Sequence, residues 1–104
     1  VLLAAPSLRR FFDATQFVRA FNELPLVNES GELRRVDRVV EFRDALWVLD
    51  YKTGRYDRAA GTDLEAEYRE QVAAYCRSLV LVYAGKPVHG ALVFSCGTLV
   101  EVMP

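Results

Sequence analysis

The sequence predicts a mixed α/β domain in the order α-β-β-β-α-β-β, and three observations predict it. Runs of aromatic and β-branched residues over 17–27, 32–42 and 45–51 are parted only by short turn signals, so they read as strands joined in hairpins. One long stretch after Gly61 repeats apolar residues at helical spacing. Two further strand-like runs close the chain. Strands that meet one long helix within 104 residues make a single domain around one core.

Taken in order, residues 7–15 read as a helix. Pro6 precedes it, Ser7 can cap it, and Leu8, Phe11 and Phe12 fall on one face. The strand over 17–27 ends at Asn28-Glu29-Ser30-Gly31, a turn signal. The next two strands flank Arg43-Asp44, which makes them a hairpin. A polar loop with glycines near both ends, Gly54 and Gly61, leads to the long helix. Thr62 is its expected cap and Glu65, three residues on, completes a capping box. Leu64, Tyr68, Val72, Cys76, Leu79 and Tyr83 form its apolar stripe, and Gly85 and Pro87 stop it. Residues 88–95 and 98–103 read as a last hairpin around Cys96-Gly97.

Charge is balanced: 13 Lys and Arg against 14 Asp and Glu give −1. That excludes a module that coats DNA through an overall basic surface, and leaves room for an enzyme with a small local site. Only Lys52 and Lys86 are lysines; the other cations are arginines. Cys76 and Cys96 read as free, buried thiols and cannot by themselves form a four-cysteine metal site. No apolar run approaches the roughly 20 residues that span a bilayer, and no signal pattern opens the chain, so a cytoplasmic protein is expected. Val1 in place of Met gives the expectation that this is a piece of a longer protein.

The chemistry concentrates in Val36-Asp37-Arg38-Val39-Val40 and Trp47-Val48-Leu49-Asp50-Tyr51-Lys52. Strand alternation puts Leu46, Val48, Asp50 and Lys52 on one face. The run 46–49 is apolar on both faces, which marks a central strand covered on both sides. Asp50 and Lys52 at its end are then partly desolvated and need partners. A turn at Arg43-Asp44 pairs Phe42 with Ala45, Glu41 with Leu46 and Asp37 with Asp50. Directly opposed Cβ atoms lie roughly 4.5 to 5.5 Å apart, so two carboxylates stand side by side with a lysine two residues on. Such a pair resolves its repulsion by sharing a proton or by binding a cation. Hard oxygen ligands suit Mg²⁺ or Mn²⁺, and a lysine at the same edge suits phosphodiester hydrolysis. The plainer reading is a set of surface salt bridges, Asp37 with Arg38 and Asp50 with Lys52.

The strings Arg35-Val36-Asp37-Arg38-Val39, Asp50-Tyr51-Lys52-Thr53-Gly54 and Tyr68-Arg69-Glu70-Gln71-Val72-Ala73-Ala74-Tyr75 together resemble the RecB-family nuclease domain, a branch of the PD-(D/E)XK superfamily. That domain is fused to superfamily 1 helicases in RecBCD and AddAB-type enzymes. The resemblance spans about 23–75. It implies a restriction-endonuclease-like αβββαβ core with a mixed sheet, followed here by a C-terminal hairpin. It implies Asp37 and Asp50 as metal ligands, with the backbone carbonyl of Tyr51, and Lys52 as the catalytic lysine. It implies that Gln71 and Tyr75, which share a helix face, lie near the DNA backbone, and it offers Glu23 as an acidic position on the first strand. It implies DNA as substrate, Mg²⁺ or Mn²⁺ as cofactor, and a helicase domain as partner in repair or recombination.

The family usually carries an upstream histidine in the metal shell. The single histidine, His89, follows the long helix and does not match, so that histidine is expected in sequence preceding Val1. The alternative is the same fold kept as a catalytically incomplete DNA-binding or subunit-docking module. Arg55 and Arg58, in the loop beside Lys52, are phosphate candidates by position; Arg34, Arg35 and Arg38 read equally as phosphate contacts or as a solvated edge.

Overall fold

The computed structural model describes residues 6–28, 30–53, 60–83, 85–95 and 97–102. The chain opens with a 3₁₀ turn over Pro6–Phe11 and continues with β1 (Arg19–Val27), β2 (Leu33–Glu41), β3 (Leu46–Lys52), α1 (Asp63–Val82), β4 (Val88–Phe94) and β5 (Leu99–Val102). The five strands form one sheet in sequence order. The first three pair antiparallel, β3 and β4 pair parallel, and β5 returns antiparallel to β4. A parallel pair needs a long crossover, and α1 is that crossover. The expected α/β class with a mixed sheet and a closing hairpin is what the chain forms.

The β2–β3 register is the one the turn dictates. Phe42 N–H donates to Ala45 O, and Glu41, Val40, Val39 and Arg38 face Leu46, Trp47, Val48 and Leu49. The β1–β2 turn is closed by Asn28, whose side-chain oxygen accepts from Ser30 N–H and Glu32 N–H, with Gly31 supplying φ 81°.

The first element departs from the expected helix. Arg9 O accepts from both Phe12 N–H and Asp13 N–H, and the Asp13 carboxylate then turns onto Thr15 N–H and its hydroxyl. That local bond competes with further helical bonds, so the segment stays a 3₁₀ turn. The long helix starts as the capping signal indicates: Thr62 Oγ1 accepts from Glu65 N–H. The Glu65 carboxylate reaches back one residue beyond the cap, to Gly61 N–H.

The sheet carries apolar side chains on both faces. Beneath α1 lie Val39, Leu46, Val48, Val72, Cys76, Leu79, Leu92 and Phe94. On the other face the N-terminal segment brings Leu8 and Phe11 onto Val40, Trp47, Leu49, Ala91 and Val93. So β3 is central and covered on both sides. Burial on α1 begins at Val72; Leu64, expected on the stripe, is largely exposed, while Ala73 and Tyr75 join the core. Cys76 is buried and free, and burial pushes its thiol up to about 11, which keeps it unreactive. Cys96 lies outside the described residues.

Two features were not foreseen. The β1–β2 ladder pairs Asn22 with Arg38 and Leu24 with Val36 but omits Glu23 opposite Asp37, and Glu23 has φ 52°. Phe21 and Leu24 both pack on the α1 side, as do Val39 and Val36, although regular alternation would separate them. The strand pair therefore changes face at Glu23 and Asp37. The second feature is Lys86, which donates to the Glu41 carboxylate and to Phe42 O, while Arg19 Nε lies 3.0 Å from Glu41. Lys86 thus pins the turn before β4 to the end of β2.

Candidate active site

The site forms where the covered part of β3 ends. Val48 is under α1, and two residues on, Asp50 leaves the core still only 5% exposed. Beside it, β2 reaches the position where Asp37 completes neither of its ladders. Freed from the sheet, the Asp37 carboxylate accepts Tyr51 N–H at 2.7 Å. Asp37 and Asp50 thus stand next to one another on adjacent strands, one residue past the last paired rung, Arg38 with Leu49.

Burial is the main reason that the Asp50 carboxyl is pushed up from 3.8 to about 6. A hydrogen bond shared with Asp37 adds to this, and Lys52 acts against it. Lys52 Nζ lies 2.9 Å from Asp50 Oδ2 as an ion pair. Among the described residues that buried oxygen has no hydrogen-bond partner.

Lys52 is held from three sides. Besides Asp50, its ammonium donates to Gln71 Oε1 at 3.1 Å and sits 4.3 Å over the Tyr68 ring. Gln71 is fixed in turn, because its amide N–H donates to the Tyr75 hydroxyl at 3.2 Å. Gln71 and Tyr75 share one face of α1, as their spacing predicts. Tyr75 is buried, and burial, with the Asp50 charge adding to it, raises its hydroxyl pKa. Its hydroxyl steadies Gln71, which reaches the lysine, and Tyr75 and Gln71 both line the cleft beside it. A polar chain therefore runs from Tyr75 through Gln71 and Lys52 to Asp50, Asp37 and Tyr51 N–H.

A cleft of about 430 Å³ opens beside this chain, lined by Asn28, Arg34, Lys52, Glu67, Tyr68 and Gln71 among others. Arg34 is the upstream arginine that borders it; Arg35 is exposed on β2. Arg38 is not a surface cation at all: it is buried, with its guanidinium on Phe11 O. Sequence reading missed this, since an arginine inside a strand of alternating polarity carries no mark of burial. Glu23 is exposed, and among the described residues it makes no bond to the site. His89 lies at the other end of β4, stacked 4.8 Å from Trp47, with Nδ1 3.8 Å from Glu101. Arg55 and Arg58 lie outside the described residues.

The donor set fits a hard divalent cation. Two adjacent carboxylates suit such an ion, and the buried Asp50 Oδ2, which meets the Lys52 ammonium at 2.9 Å, keeps a lone pair for it. Asp37 and Asp50 would hold it, with Tyr51 between Asp50 and Lys52 as the backbone ligand that the resemblance implies. Among the described residues no cluster of three or more acidic, histidine or cysteine side chains forms.

No curated protein matches the chain at a significant level. The family model of the PD-(D/E)XK nuclease superfamily matches residues 8–97. Because that match takes in β1 through β4 and α1 together with Asp37, Asp50 and Lys52, what is shared is the whole scaffold that builds this corner, and the chain belongs to the PD-(D/E)XK nuclease superfamily.

Proposed function

We propose that the chain is the nuclease domain of a RecB- or AddA-like helicase–nuclease, hydrolysing DNA phosphodiester bonds with Mg²⁺ or Mn²⁺. The observation that carries this reading is the polar chain at the end of β3, in which a lysine is held between a carboxylate pair and a helix glutamine. Asp37 and Asp50 would bind the cation. When bound, it supplies charge neutralisation on the phosphate and a lowered pKa for a coordinated water. Lys52, already aimed by Gln71 and Tyr68, would orient that water or meet the charge that develops on the phosphate. Gln71 and Tyr75 border the cleft where the DNA strand would pass. Arg34, and Arg55, three residues after Lys52 in the sequence, would contact phosphates. The partner in this reading is a helicase domain, and the place of action is the cytoplasm. No described helix is long and apolar enough to cross a membrane.

The test is Mg²⁺-dependent cleavage of linear single- and double-stranded DNA, by this chain and by one extended N-terminally. Cleavage by the extended protein, lost in Asp50→Asn, supports the reading. One observation favours a second reading, a catalytically incomplete DNA-binding or docking module: the described residues give the cation no third acidic or histidine side chain. Cleavage by neither protein, with no Mn²⁺ binding, would decide for the module.

A further inference from the structure

Arg38 is the residue whose placement the site does not explain. It is 8% exposed, and among the described residues its guanidinium meets neutral groups. Nε and Nη2 both donate to Phe11 O, at 3.0 and 2.8 Å, and Nη1 donates to Asn22 Oδ1 at 2.7 Å. The group also lies 4.6 Å over the Phe12 ring and 5.7 Å from that of Phe17. Burying a guanidinium is costly, and a forked double bond to one carbonyl is the geometry that Arg supplies and Lys does not.

The position of that carbonyl matters. Phe11 ends the 3₁₀ turn, so its oxygen is one that the helix leaves unsatisfied. Capping it fixes where the chain continues, and the next residue, Phe12, stacks on Tyr51 with ring centroids 6.4 Å apart and planes 24° from parallel. Tyr51 N–H is the donor that Asp37 accepts. The path leaves β2 at Arg38, passes through Phe11, Phe12 and Tyr51, and returns to β2 at Asp37, the neighbouring residue. Asp37 has no complete ladder on either side to hold it otherwise.

We propose that Arg38 is a positioning residue for the carboxylate pair: by holding Phe11 O it keeps Phe12 on Tyr51, and so fixes the Tyr51 amide that orients Asp37. The docked N-terminal segment is then part of the site's support rather than a cover for the core alone. The consequence for metal affinity rests on the reading of Asp37 and Asp50 as the cation's ligands. The link from Arg38 to Tyr51 does not.

The experiment measures amide hydrogen exchange and Mn²⁺ titration on wild type, Arg38→Lys and Phe12→Leu. Lysine keeps the charge and loses the fork. Leucine keeps an apolar side chain and loses the ring, so it carries the test if Arg38→Lys does not fold. Tyr51 N–H is expected to exchange about tenfold faster in both variants, while the core amides of Val48 and Leu92 keep their protection. Mn²⁺ affinity is expected to fall roughly 10- to 100-fold, as when a group that orients a ligand is removed. Unchanged exchange at Tyr51 in both variants would overturn the proposal. So would an equal loss of protection at Val48 and Leu92, which would make Arg38 a general packing residue. A faster Tyr51 amide in a protein whose wild type binds no Mn²⁺ would uphold the positioning link and overturn the metal reading.

Discussion

Asp50 sits in a place that does not favour its charge, and that gives the site a pH signature. Its carboxyl titrates at about 6 in the fold against 3.8 as an ordinary side chain, so the folded state holds the proton more tightly than the unfolded one. Its contribution to stability is fully present below about 3.8, fades as pH rises, and is lost above about 6. Metal-free protein is therefore expected to gain on the order of 1–3 kcal/mol from this group between pH 7.5 and pH 4.5. Asp50→Asn should lack that gain, melt higher than wild type at pH 7.5, and show no shift on adding Mn²⁺. Thermal melts of both proteins at the two pH values check this; parallel melting across pH would refute it. Lys52 divides the labour differently. At pH 8, where Asp50 is ionised, Lys52→Ala should leave Mn²⁺ binding and fold in place and lower the cleavage rate about 10² to 10⁴-fold. Lys86→Ala is the contrast. The structure gives Lys86 a structural role, so its loss should cost about 1 kcal/mol of stability, with Glu41 still paired to Arg19, and leave the rate alone. Comparing rate with melting temperature across the two lysine variants separates the roles.

Elements were legible in the sequence where a local rule had no competitor. The β2–β3 register followed from a tight turn between two apolar runs, because a slip of one residue would turn the whole buried face of β3 to solvent. The start of α1 followed from Thr62 and Glu65 for the same reason. The misses are places where a long-range contact decided. Leu64 satisfies the helical period, but burial on α1 starts only where the helix meets the sheet, at Val72. The face change at Glu23 and Asp37 breaks strand alternation, and no residue there is a glycine that would have signalled it. Glycine does speak at Gly90. A Cβ there would lie 2.4 Å from Val72 Cγ1 and 2.9 Å from Cys76 Sγ, so the bare backbone of β4 is what lets α1 approach the sheet. Gly90→Ala is expected to destabilise by roughly 1–3 kcal/mol, as overpacking does. Denaturant unfolding should show it, and Gly90→Ala with Val72→Ala should recover part of the loss if the clash is the cause.

At the scale of the molecule, the candidate site was legible because its residues are close in sequence or set by one register. Asp50 and Lys52 share a strand, Asp37 follows from the turn, and Gln71 and Tyr75 share a helix face. What the sequence hid was the depth of each group. Arg38 is buried where a phosphate contact or a solvated edge was the natural reading, since depth depends on elements far away in the chain. Net charge bears on function in the same collective way. At −1 the protein has no overall field to draw a polyanion, so binding rests on a few local cations. Arg34 and Lys52 line the cleft, and Arg55 and Arg58 follow Lys52 closely in sequence. Each neutralised phosphate contributes about −0.9 to the slope of log affinity against log salt for duplex DNA. If all four meet phosphates on DNA bound as proposed, the slope is no steeper than roughly −4, with Glu67 and Glu70 on the cleft wall opposing it. Affinity for a short duplex, measured with Ca²⁺ in place of Mg²⁺ over 50 to 300 mM salt, should show that shallow dependence. Arg34→Ala should flatten it by about one further unit, and a slope twice as steep would mean that DNA lies along some other surface than this cleft.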